Sequence, residues 1–91
     1  MMPLNYAILT QFLTAEEADA DTIMETLKPQ YGRFRSLKKP AVVEALMAAE
    51  ANGLIDESRI DLDDQQQLRV FYKVNDYGKD MIEKYIGTAA A

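Results

Sequence analysis

Five cations crowd one short stretch of this chain: Lys28, Arg33, Arg35, Lys38 and Lys39 fall within residues 27–43 with no acid among them. The chemistry open to such a cluster is anion recognition, because guanidinium and ammonium groups donate hydrogen bonds to phosphate or carboxylate oxygens. Ser36 adds a hydroxyl inside the cluster, and Arg59 and Arg69 lie further along. The flanking segments are acidic. Glu16, Glu17, Asp19, Asp21 and Glu25 precede the cluster with no base, and ten acids against five bases follow it, so a +5 segment sits inside a 91-residue chain of net charge −5. The sum opposes long-range attraction to nucleic acid or an anionic membrane. The distribution favours a local anion contact.

Other chemistries lack their usual residues. The chain has no histidine and no cysteine, which removes imidazole acid–base catalysis, thiolate chemistry, disulfides and the usual zinc ligand sets. Carboxylate pairs exist, Glu16 with Glu17 and Asp61 with Asp63, but no segment gathers enough oxygen ligands for magnesium or calcium. We expect no enzyme, no cofactor and no metal. No apolar run approaches the roughly 18 residues of a membrane span, and the N-terminus has no basic leader followed by a long apolar stretch. The expected location is the cytoplasm, with no membrane contact.

The elements that must position the basic cluster can be read from hydrophobic spacing. Ninety-one residues, 48% of them hydrophobic, suit a single domain with one core, expected over residues 1–91 with its body at about 4–87 and a loose tail at 88–91. Leu4, Ile8, Leu9, Phe12 and Leu13 recur at helical intervals and predict a first helix ending near Thr14. Thr14-Ala15-Glu16-Glu17 has capping-box spacing and fits either a short acidic turn or a linker. Asp19 or Asp21 starts the second helix, with Ile23, Met24 and Leu27 inside, and Pro29 is expected to interrupt it. Gly32 to Leu37 reads as a loop with a short strand as an option.

A third helix starts between Ser36 and Pro40 and ends at Asn52-Gly53. Its predicted core face is Val42, Val43, Leu46 and Met47, which leaves Ala41, Glu44, Ala45, Ala48 and Ala51 outside. Beyond Ile55 the period changes to two. Ile60 and Leu62, then Leu68, Val70, Tyr72 and Val74, predict a hairpin whose glycine-free connection, residues 63–67, favours a long mobile tip over a tight turn. After Asn75-Asp76, Met81, Ile82, Tyr85 and Ile86 mark a last helix. Tyr6, Tyr31, Tyr72, Tyr77 and Tyr85 read as core-edge residues with hydroxyls reaching water, or as the lining of an aromatic ligand pocket. The order predicts an α+β fold, a small winged helix of three helices, a two-stranded wing and a C-terminal helix.

The run from Ala41 to Ile55, ending Glu50-Ala51-Asn52-Gly53-Leu54-Ile55, is followed by the polar hairpin and then Tyr72-Lys73-Val74-Asn75-Asp76-Tyr77-Gly78. Over residues 36 to 86 this resembles the PadR-like and MarR-like winged-helix regulators of bacteria. It departs from their pattern at Asn75-Asp76, where a threonine-containing cap is frequent, and in a first helix without an obvious dimerising extension. The resemblance implies a transcriptional regulator acting as a homodimer on double-stranded DNA, with the third helix in a major groove and the wing on the backbone or the adjacent minor groove.

Residue by residue, that implication points to Arg33, Arg35, Ser36, Lys38 and Lys39 on phosphates, joined by Arg59 and Arg69 on the wing. A solvated turn balancing nearby acids is the plainer account of the same cluster. The third helix offers alanines where bidentate base reading calls for arginine, lysine, asparagine or glutamine, and Asp61, Asp63 and Asp64 at the wing repel phosphate. The alternative is therefore a winged-helix module that binds a protein partner through the alanine face or the acidic wing.

Overall fold

The computed structural model describes residues 2–35 and 37–87. Ser36, one limit of the expected start of the third helix, and the tail 88–91 lie outside the described residues. Helix α1 spans Leu4–Thr10 and tightens into one 3₁₀ turn, Gln11–Leu13. Ala7, Ile8 and Phe12 carry its buried face. Thr14 to Glu17 forms no helix, and the segment ends by pairing Ala18 with Tyr72 in an isolated antiparallel bridge, N–H to carbonyl at 2.9 and 2.8 Å.

Helix α2, Ala20–Tyr31, begins at Asp19 rather than Asp21. The Asp19 carboxylate accepts from the Thr22 N–H at 3.0 Å while the Thr22 hydroxyl accepts from the Asp19 N–H at 3.0 Å, a reciprocal cap that satisfies two otherwise free donors. Pro29 does not end this helix, contrary to expectation. It stands in the last turn, where its missing N–H forfeits one bond only, and the Gly32 N–H closes the helix on the Lys28 carbonyl at 2.9 Å. Burial of Leu27 and Tyr31 on either side holds the turn in place, and the Tyr31 hydroxyl donates to the Met2 carbonyl.

Helix α3, Lys39–Ala51, buries Val42, Leu46 and Ala49. The expected face is therefore rotated: Val43 is 37% and Met47 58% exposed, while Ala49 is 5% exposed. Because the helix is apolar on most sides, only Glu44 and Glu50 mark its phase in the sequence, and spacing alone admits either face. Gly53, at φ 79°, takes the left-handed conformation that ends the helix, with the Leu54 N–H returning to the Ala49 carbonyl at 3.0 Å.

Strands β1, Ile55–Leu62, and β2, Leu68–Val74, pair antiparallel with an irregularity between Glu57 and Arg59 that accommodates the extra residue Ser58. The tip has local hydrogen bonds that the spacing of residues does not foretell. The Asp63 carboxylate accepts from the N–H groups of Gln65 and Gln67, both at 2.8 Å, and Gln66 takes the positive φ of 63° that glycine would otherwise supply. Helix α4, Asp76–Tyr85, is capped by Asn75, whose side chain accepts from the Gly78 N–H at 2.7 Å and donates to the Gly53 carbonyl at 2.9 Å. A Cβ on Gly78 would stand 1.8 Å from the Leu54 carbonyl oxygen, so only glycine lets α4 approach the α3–β1 corner. Tyr31 and Tyr72 are buried, but Tyr6, Tyr77 and Tyr85 lie on the surface at 48%, 56% and 69% exposure, so they are not core-edge residues.

Candidate nucleic-acid interface

The loop between α2 and α3 holds its cations outward by packing what lies between them. The Phe34 ring meets Tyr31 edge-on at 5.3 Å, and successive turns bond the Phe34 N–H to the Tyr31 carbonyl and the Leu37 N–H to the Phe34 carbonyl, at 2.9 and 3.1 Å. Leu37 packs against the core. Arg33, Arg35 and Lys38 are exposed, and none forms an ion pair among the described residues.

Lys38 is also the N-cap of α3, with no side-chain bond to the free N–H groups of the first turn and no acid within it. The other two long helices differ, since α2 is capped by Asp19 and α4 by Asn75, each with an aspartate in its first turn. The positive end of α3 is thus uncompensated where three free cations stand, an arrangement suited to a phosphate oxygen. Lys39, at the first position of the helix, is engaged: its Nζ lies 3.2 Å from an Asp21 carboxylate oxygen. Both side chains are more than two-fifths exposed, and such pairs yield readily to a stronger anion.

The wing arginines are placed differently. Arg69 Nε donates to Asp19 Oδ2 at 2.7 Å and lies 3.8 Å from Asp21. Arg59 Nε donates to Glu17 Oε1 at 2.8 Å and its Nη1 to Asp61 Oδ2 at 3.1 Å, while Ser58 donates to the other Glu17 oxygen. Both guanidinium groups cover the Phe71 ring, at 3.8 and 5.0 Å from its centroid, leaving it 7% exposed. Burial pushes the Asp19 carboxyl up, but hydrogen bonds from Arg69 and Thr22 outweigh it and hold the group below its ordinary value. The bonds from Ser58 and then Arg59 lower Glu17 likewise.

The structure therefore leaves Arg33, Arg35 and Lys38 exposed and without an ion pair among the described residues, brings Lys39 and Arg69 to the same Asp21 carboxylate, and engages Arg59 with Glu17 and Asp61. Sequence reasoning finds the cluster but misses these partners. Glu17, Asp19 and Asp21 are 42 to 50 residues away from the arginines they meet, and no local spacing signals that meeting. Among the described residues no group of acidic side chains is arranged to hold a metal ion, and no helix is long and apolar enough to cross a membrane.

No protein-family model and no curated protein matches the sequence. Solved structures do match. PadR of Bacillus subtilis, in complex with operator DNA, superposes with a TM-score of 0.72 at 24% identity over 91% of this chain, which spans only 47% of that longer protein. A PadR-like transcriptional regulator from Bacillus cereus gives 0.69 at 16% identity, covering 96% of this chain and 81% of its own. A PadR family transcription regulator from Clostridium difficile gives 0.62 at 20%, covering 92% and 84%. With the capped helices, the hairpin and its register already described, these superpositions establish that the chain has the winged-helix fold of PadR-family regulators.

Proposed function

We propose that this chain is a cytoplasmic, DNA-binding transcriptional regulator that holds duplex DNA chiefly by its backbone, with Arg33, Arg35, Lys38 and Lys39 on phosphates at the N-terminus of α3. The observation that carries this reading is the set of free cations around an uncapped helix end, on a fold whose solved examples include an operator complex. Arg59 and Arg69 belong to the anchoring of the wing, and Lys39 joins once phosphate displaces Asp21. Ser36 stands between Arg35 and Leu37 in sequence and is assigned to the same phosphates. The middle of α3 carries no side chain that reads bases in bidentate fashion, so sequence discrimination is modest and rests on shape.

Fluorescence anisotropy with a random duplex at low salt tests this. Replacing Arg33, Arg35 and Lys38 together by alanine should weaken binding and flatten the dependence of log affinity on log salt by about 0.9 for each phosphate no longer neutralised. An unchanged slope would refute the assignment. We also propose a homodimer, in keeping with the two half-sites such folds address; a sedimentation profile that stays monomeric at high concentration would remove it.

One observation favours a second reading. The exposed side of α3 presents Val43, Met47 and Glu50 toward an acidic wing, a surface better suited to a protein partner than to a major groove. Complete absence of binding to random duplex at low salt, where even a specific regulator retains weak affinity, would select this protein-interaction module.

A further inference from the structure

Between α3 and the wing lies a cleft of about 340 Å³, within the range of small-ligand sites. Leu46, Val70 and Tyr72 line it together with Val43, Met47 and Leu68. The last three are 37%, 58% and 66% exposed, an apolar surface that remains in water unless something covers it.

Polar groups converge at one end. Tyr72 is 6% exposed; its ring is packed in the cleft, while its hydroxyl, which has no protein partner among the described residues, reaches solvent there, since no buried side-chain nitrogen or oxygen among them lacks a partner. Glu50 from α3 and Glu57 from β1 line the same end, and neither is ion-paired among the described residues. Burial raises the Tyr72 hydroxyl above its ordinary pKa, and the charges of Glu50 and Glu57 raise it further. Glu57 is the cross-strand partner of Tyr72, and Glu50 lines the same cleft from the C-terminal half of α3. At the opposite end Lys39, Asp21 and Arg69 already neutralise one another.

From this juxtaposition we propose that the cleft binds a small organic amine, its ammonium held by Glu50, Glu57 and the Tyr72 hydroxyl oxygen and its aryl or alkyl body on Val43, Met47 and Leu68. A primary ammonium has three donors and no acceptor, which suits two exposed carboxylates and a hydroxyl that no donor of the described chain engages. An organic anion meets two like charges. A neutral alcohol of the same shape covers the apolar wall but leaves the carboxylates partly desolvated and unpaired. Because α3 and the wing are the elements that winged helices present to DNA, an amine seated here alters that meeting. This regulatory consequence rests on the proposed DNA binding, whereas the binding of the amine does not.

The test uses the full chain, isotopically labelled, titrated with phenylbutylamine, phenylbutanol or phenylbutyrate while amide chemical shifts are followed. The amine should saturate, with shifts gathered on α3 from Val43 to Glu50, on Glu57 and on Leu68 to Tyr72, and should bind about tenfold tighter than the alcohol. The butyrate should not saturate. Glu50→Gln combined with Glu57→Gln, both at exposed positions, should cost the amine about tenfold in affinity and leave the alcohol unchanged. Equal binding of amine and alcohol, shifts centred elsewhere, or an amine affinity indifferent to the double substitution would each overturn the site. Saturable, glutamate-dependent amine binding by a chain that fails to bind DNA would uphold the site and count against the regulator instead.

Discussion

The wing base and the loop before α3 use the same residue type in opposite ways. At the wing, Arg59 and Arg69 are stacked on Phe71 and saturated by Glu17, Asp19, Asp21 and Asp61. In the loop, Arg33 and Arg35 stand exposed with no acid of the described chain against them. Counting cations along the sequence treats all four alike. Whether an arginine is offered to an outside anion is decided by which carboxylates the fold brings within reach, and at the wing those come from the segment that leads into α2.

That contrast can be broken at Asp19. Asp19→Ala removes both the N-cap of α2 and the nearest partner of Arg69, and the cap alone is worth about 1 kcal/mol. Chemical denaturation should show a loss of at least that size, the largest expected of any single change at these two regions. A loss no greater than for an exposed residue would mean that the wing is held by packing alone. Alanine at Arg33 or Arg35, in contrast, should leave the denaturation midpoint where it is.

Acid sharpens the same comparison. The Asp19 carboxyl is held below its ordinary value of 3.8 and Glu17 below 4.5, so in the unfolded chain both bind protons more readily. Their contribution is present above those ordinary values and disappears as pH falls through the lowered ones. Asp19→Asn keeps an acceptor for the cap but not the charge. Its denaturation midpoint should lie below that of the parent at neutral pH, and the two curves should converge in acid; parallel curves would exclude the Arg69 pairing as the cause.

The smallest expected effect tests the border between the two regions. Asp21→Asn frees Lys39 from its exposed pair, so duplex binding should strengthen slightly and its salt dependence steepen, with stability little altered. No change in either would mean that Lys39 does not touch phosphate.

Most of the fold was legible because its signals are local. Asp19, Asn75 and Gly53 mark helix ends by their own chemistry, and the change from a period of three and four to a period of two at Ile55 announces the wing. The phase of α3 was not legible, since Val43 and Met47 are as apolar as Val42 and Leu46, and only the packed core distinguishes them. Phe71 misleads for a related reason. Alternation with Tyr72 puts it on the solvent side of β2, and it is buried there because two arginines lie over it. The basic loop could be found from composition, but its freedom from acids could not, because that depends on where residues 17 to 21 lie in space.

The pairing of Ala18 with Tyr72 and of Asp19 with Arg69 also bears on the order of assembly. The cap of α2 is available as soon as Asp19 and Thr22 exist, and α1 to α3 meet through residues all within the first 51. On a ribosome, the Arg69 that completes Asp19 arrives some 50 residues later, so the helices emerge with that carboxylate still lacking its guanidinium. The pairs that Glu17 and Asp19 make with the wing arginines thus span 42 and 50 residues and carry the loop-closure cost that the local cap of α2 avoids.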